Sequence, residues 1–310
     1  MARYPGLPTP RDSLLLLLAG ALIFVIAWGS IILTRGDGFI ARVWLANAVL
    51  ASILLRNPPR SWPALVAVGF AAFLGSHLMF GDGFVHSLSL ASLKLAEVLI
   101  VAIPLQRYFG SRIDLGEIRP LGLFLLLGGL VAPLTSALGA AFYHSLANGA
   151  PEVELFGQWA VSHALGFVTL TPLLMAIPGR VAAGAIRPKI LFESALLIGL
   201  IAGVAFFVYT RQAPLQSVII LVLVFAAFRL PTGAAALAIV VVAGEAVWLT
   251  GLGLGPIAAS QLDPMVRLLL LQAFIAVAVL VTLPVHALIG ERNRLLAKEI
   301  SARAEAEAAT

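Results

Sequence analysis

Lys94 and Glu97 stand three residues apart inside an otherwise apolar run, residues 84–105. On a helix that spacing puts both side chains on one face, near enough to pair. A charge at the bilayer centre costs roughly 2.5–3.5 kcal/mol even on a lenient insertion scale, so such residues come with partners, water or a function. Two readings follow: a neutralised pair that ties a bundle together, or a site for a ligand or a proton. Asn47, deep in the run 39–55, suits an interhelical hydrogen bond or a ligand contact. His77 and His86 flank the turn Gly81-Asp82-Gly83. Two imidazoles beside a carboxylate are weak candidates for metal binding or pH sensing, and no metal site is assigned. His163, Glu245 and Arg267, in the runs 156–178, 233–250 and 265–289, complete the ligand-binding or coupling candidates. Glu245 and Arg267 are expected to pair between spans.

Other polar residues have plainer explanations. Arg42 can snorkel, and Trp44, Gln158 and Trp159 suit the aromatic and polar belt at a membrane interface. Thr169, Thr171 and Pro172 suit a kinked helix whose hydroxyls occupy freed carbonyls. Glu193 and His286, near inner ends, are expected to be hydrated. There is no P-loop, no H-E-x-x-H, no G-x-S-x-G and no strand-borne G-x-G-x-x-G, so the chain is expected to be no enzyme and to need no cofactor.

The elements that must position these side chains follow from composition. The chain is 61% hydrophobic and 11% charged, with no cysteine and mean hydropathy +1.03. Soluble domains carry about 25% charged residues. The fold class is therefore all-α, a polytopic transmembrane helical bundle. Ten apolar runs are visible: 14–33, 39–55, 62–80, 84–105, 121–145, 156–178, 190–209, 215–228, 233–250 and 265–289. Most reach the roughly 20 residues that a bilayer core requires. The runs 39–55 and 215–228 are the short ones. If the runs alternate from a cytoplasmic N-terminus, fifteen of the 20 Lys and Arg fall inside and only Arg35 and Arg211 in the outer loops. That bias places both termini in the cytoplasm, in a bacterial inner membrane. It also accounts for the net charge of +5 without a nucleic-acid partner. The outer loops are too short for a separate domain, and no strong internal repeat is visible. The intramembrane polar residues gather in the outer half, which suits a cavity opening outward better than a path through both halves.

The last stretch, Glu291–Thr310, is charged and free of Gly and Pro, and rich in strong helix formers. It continues the tenth run as a cytoplasmic signalling helix. Ile289, Leu296 and Ile300 lie at coiled-coil spacing, which predicts a homodimer through this helix. The organisation expected is a membrane domain over 1–290 and a linker over 291–310 that leads to an output domain beyond Thr310.

Several motifs carry a resemblance. Val43-Trp44-Leu45-Ala46-Asn47-Ala48, Trp62-Pro63, Lys94-Leu95-Ala96-Glu97 and Leu165-Gly166-Phe167-Val168-Thr169-Leu170-Thr171-Pro172-Leu173-Leu174 occur in this order. Together they resemble the membrane-associated sensor (MASE) family, type one, over residues 39–289. Lys94 stands where that family more usually has a neutral polar residue. The resemblance implies an integral membrane sensory domain of bacterial signalling proteins, preceding a histidine kinase or a cyclic-di-GMP turnover enzyme. The expected signal is a small-molecule ligand, a partner membrane protein or the state of the bilayer. The alternatives are a secondary transporter coupled through Lys94 and Glu97, and a passive membrane anchor.

Overall fold

A computed structural model of the chain describes residues 10–34, 43–110, 113–149, 153–177, 188–211 and 215–308; Arg42 lies outside them. The helices are α1 (Pro10–Thr34), α2 (Ala46–Leu55), α3 (Trp62–Phe80), α4 (Phe84–Phe109), α5 (Ile118–Leu126), α6 (Ala132–Asn148), α7 (Val153–Ala176), α8 (Pro188–Thr210), α9 (Gln216–Ala227), α10 (Thr232–Gly251) and α11 (Pro264–Ala308). A π-helical turn, Leu127–Val131, joins α5 to α6. Pro133 has no N–H to give the carbonyl four residues before it, and the widened turn falls there.

Each of the ten apolar runs contains a helix, and the chain is a multi-pass membrane protein. Among the described residues eight helical segments are long and apolar enough to cross a membrane, with α5, the π turn and α6 forming one of them. The other two runs are shorter than expected. Helices α2 and α9 have 10 and 12 residues. At about 1.5 Å per residue they cover roughly half of a hydrocarbon core about 30 Å thick. The cause in α2 is local: the backbone N–H of Trp44 donates to Ser162 O of α7 at 3.1 Å, which holds residues 43–45 out of the helix. Arg56-Asn57-Pro58 then stops it. Arg229-Leu230-Pro231 stops α9 in the same way.

The chain divides into two compact units, Met1–Ile113 with Leu126–Thr171, and Asp114–Leu125 with Pro172–Thr310. In unit one, α1 lies along α3, the short α2 lies against α4, and α4 also borders α3 and α6. In unit two, α8 lies along α10, the short α9 lies against α11, and α11 borders α10. The same four-helix topology thus occurs twice. Its burial register repeats as well. The buried positions Ile23, Ala27, Ser30 and Ile31 of α1 have the spacing of Ile201, Ala205, Val208 and Tyr209 of α8. In α4, Leu90, Ala91, Lys94, Glu97, Val98, Val101 and Ala102 are buried; in α11, Leu271, Gln272, Ile275, Ala278, Val279, Thr282 and Leu283 repeat that spacing. The end of each short helix also receives a side-chain hydrogen bond, though from a different helix in each unit. Trp62 Nε1 donates to Leu54 O at 2.9 Å in unit one, and His286 Nδ1 donates to Ala227 O at 3.0 Å in unit two. The impression of no internal repeat is therefore corrected: the topology and buried spacing repeat while the residue types do not. His286 is also not simply hydrated, since its Nε2 meets Thr232 Oγ1 at 3.1 Å.

Helix α11 is 45 residues long and passes residue 290 without a break. Arg294, on its exposed part, reaches Glu117 at 2.7 Å, Asp114 at 3.7 Å and Glu291 at 3.8 Å.

Candidate functional site

The polar residues of unit one converge because three backbone devices aim them. Gly81, at φ 96°, closes α3 in the left-handed conformation that glycine adopts without strain. The chain therefore turns at once, and Asp82 returns beneath His77, with Nδ1 to Oδ2 at 2.6 Å. Gly166 of α7 lies against the segment that precedes α2. A Cβ there would overlap the carbonyl oxygen of Trp44 and stand 2.6 Å from its carbonyl carbon. Only glycine permits this approach, and it brings Trp44 and Asn47 under α7. The third device is the π turn, after which Ser136 of α6 faces α4 and α7.

Glu97, fully buried, is the centre. Its Oε2 accepts Asn47 Nδ2–H at 2.9 Å, Ser136 Oγ–H at 3.2 Å and His163 Nδ1–H at 2.6 Å. These donors come from α2, α6 and α7. Behind them stand two indoles: Trp44 Nε1–H donates to Asn47 Oδ1 at 2.9 Å, and Trp159 Nε1–H to Ser136 Oγ at 3.0 Å. Glu97 Oε1 is buried and accepts no hydrogen bond.

Lys94, one turn earlier on α4, is 2% exposed. Its ammonium donates to His77 Nε2, so His77 Nδ1 carries the proton given to Asp82. The same ammonium lies 3.8 Å from the centroid of the Trp44 ring and 5.3 Å from that of Trp159, within cation–π range. His163 stacks between the indoles, with centroids 5.7 Å from Trp44 and 4.4 Å from Trp159. Outward, His86 lies 6.5 Å from His77, 5.6 Å from Tyr143 and 5.2 Å from His144, centroid to centroid. Such an arrangement can hold an ammonium, offer a carboxylate to a donor, and relay a proton along Asp82, His77 and Lys94. Both nitrogens of His77 are engaged, and no group of three or more candidate ligands for a metal occurs among the described residues.

Of the residues singled out in the sequence, Asn47, His77, Lys94, Glu97 and His163 come together, with His86 beside them. Glu245 and Arg267 belong to unit two, and they form no ion pair. Glu245 Oε2 and Arg267 Nε have no hydrogen-bond partner, and Arg267 Nη1 instead reaches Ala258 O at 3.5 Å. Helices α10 and α11 border one another, but these two side chains do not meet. The two tryptophans are also corrected: Trp44 and Trp159 are 2% and 5% exposed and belong to the cluster, not to an interfacial belt. Each sits near a helix start, where sequence position alone suggests an interface. Ser136 and Asp82 complete the cluster; nothing distinguishes Ser136 in the sequence, and only the tight glycine turn hints at Asp82. Ile289, Leu296 and Ile300 all lie on α11, and Leu296 and Ile300 are exposed.

The family model named MASE1 matches residues 14–293. A probable diguanylate cyclase of Escherichia coli (strain K12) is 22% identical over 223 residues, a stretch that covers 72% of this chain and 20% of that relative. The chain thus spans about one fifth of the length of the curated relative it matches. No solved structure matches the chain.

Proposed function

The chain belongs to the MASE1 family, a membrane sensory domain of histidine kinases and diguanylate cyclases, and from that premise we propose that it perceives its signal at the Glu97 cluster and passes it through α11. The observation that carries this reading is the convergence of donors from α2, α6 and α7 on one carboxylate of α4. A buried, hydrogen-bonded ion is a stiff, high-stakes contact: any change in its partners must move at least one helix. A ligand, a partner membrane protein or a bilayer state that alters this cluster would therefore alter helix packing in unit one.

In this proposal residues 1–290 are the sensor and 291–310 the signalling helix. Three features support it. Helix α11 is continuous across residue 290. Its exposed Leu296 and Ile300 suit pairing with a second copy. The basic residues favour a cytoplasmic position for both termini in a bacterial inner membrane. An output domain beyond Thr310, a cyclase or a kinase, is proposed by analogy with the diguanylate cyclase relative. The polar half then faces outward, where the signal arrives.

The test fuses a diguanylate cyclase domain after Thr310 and compares cyclic-di-GMP in cells. Lys94→Ala and Glu97→Gln should each shift output at least several-fold while leaving membrane insertion intact. Unchanged output from both inserted variants would remove the cluster from sensing. Loss of solute uptake by the same variants in proteoliposomes would instead establish a transporter.

A further inference from the structure

Glu97 is unequally satisfied. Three donors converge on Oε2, while Oε1, buried in the same protein interior, accepts none. Leaving a carboxylate oxygen without a donor costs free energy, and native structures retain such groups where something else supplies the donor. The surroundings indicate what that is. Trp44, Trp159 and His163 present stacked ring faces. The Lys94 ammonium lies over both indoles, which shows that this box accepts a cation of that kind. The cluster also holds two carboxylates, Glu97 and Asp82. An anion would meet both carboxylates and would bring no proton for Oε1. An inorganic cation would gain little from the ring faces once its own hydration is lost. A quaternary ammonium would suit the rings and still leave Oε1 without a donor.

We propose that the cluster binds a small primary ammonium compound, its N–H donating to Glu97 Oε1 and its alkyl part lying against Trp44 and Trp159. This rests on the reading of the cluster as the sensing site and names the chemistry it reads. Lys94 is then the tethered occupant that the ligand displaces. It is already joined to His77, and His77 to Asp82, whose side chain is 15% exposed. On ligand entry Lys94 retreats along that arm, toward the more exposed end of the cluster. Displacement moves a charge borne by α4 relative to α2 and α7, and so alters what holds those helices together.

The experiment uses the whole chain in nanodiscs. Thermal unfolding and tryptophan fluorescence are titrated with methylammonium, tetramethylammonium, acetamide and acetate. Methylammonium should give a saturable shift, with tetramethylammonium at least ~10-fold weaker because it has no N–H for Oε1, and acetamide and acetate without effect. Lys94→Ala, which vacates the box, should bind methylammonium at least ~10-fold more tightly, and Glu97→Gln at least ~10-fold more weakly. Should Glu97→Gln fail to fold, the preference of the native chain for methylammonium over tetramethylammonium carries the same test. No saturable effect of methylammonium on the native chain, equal binding of both ammonium ions, or binding of acetate overturns the proposal. If the cyclase fusion still responds to Lys94→Ala and Glu97→Gln while methylammonium does not bind, the sensing site stands and the ligand class is wrong. If the fusion does not respond, the sensing reading itself is lost.

Discussion

Replacing Gly166 by alanine should disable the cluster without touching any of its polar groups. The added Cβ would stand 2.6 Å from the carbonyl carbon of Trp44, where ordinary contact begins at 3.4 Å, and would overlap the carbonyl oxygen. The obstacle is backbone, so no side-chain rotation relieves it. Helix α7 and residues 43–45 must separate by about 1 Å, and overpacking of this kind costs roughly 1–3 kcal/mol. Separation also breaks the Trp44 N–H to Ser162 O bond, now 3.1 Å, and an unsatisfied buried group adds about 1–3 kcal/mol. The expected loss is therefore about 3 kcal/mol, with Trp44 drawn away from Lys94 and Asn47. Gly199→Ala in α8 is the matched control, because a Cβ there meets nothing within 4 Å. It should be neutral or stabilise by up to ~1 kcal/mol, as glycine is a poor helix former. Denaturant unfolding in one detergent and near-ultraviolet circular dichroism compare the three proteins. If Gly166→Ala unfolds within about 0.5 kcal/mol of the native chain with an unchanged aromatic spectrum, the close approach does not hold the site, and the argument from Gly166 is wrong.

Three further outcomes test other parts of the structure. Gly69→Ala should cost less, about 1 kcal/mol, because its nearest neighbour is the movable Leu50 side chain, with Cδ2 at 2.5 Å; a loss equal to that of Gly166→Ala would contradict the distinction. Glu97→Ala should destabilise by about 3–5 kcal/mol, since it strands three donors and removes a carboxylate one turn from the buried Lys94, and Lys94→Ile added to it should recover at least ~1 kcal/mol; an additive double variant would show that the two charges do not act as one network. Arg294→Ala should change global stability by less than about 1 kcal/mol, since its ion pairs are surface-exposed. It should nonetheless raise hydrogen exchange in residues 113–118 and 288–297, and unchanged exchange there would mean that these pairs do not hold α11.

How far the sequence reveals the site depends on the residue type. A lysine and a glutamate in an apolar run cannot be hidden, and Lys94, Glu97, Asn47, His77 and His163 are each marked as candidates, though residue type alone does not join them into one cluster. The ten apolar runs were equally legible, because hydrophobic length is a strong signal in a membrane chain. Trp44 and Trp159 are ambiguous in the sequence, since an indole near a helix start serves an interface as readily as a core. Ser136 carries no signal at all: its role follows from a π turn that no residue pattern announces. The expected Glu245–Arg267 pair does not form, and complementary charge in neighbouring runs does not by itself fix which face of each helix carries it. The repeat is not visible in residue types for a related reason. Packing preserves the spacing of buried positions, and it tolerates wide change in what fills them.

The repeat also provides an internal control. Lys94 and Glu97 occupy positions in unit one that Ile275 and Ala278 fill in unit two. The same four-helix topology thus carries two charges at buried positions of one unit and apolar side chains at the matching positions of the other, within a single chain. The scaffold does not require the charges, so their presence in unit one needs a reason other than folding. A graft makes that concrete: carrying Ile and Ala into positions 94 and 97, with apolar replacements for Asn47 and His163, should give a chain that inserts and folds but no longer answers its signal.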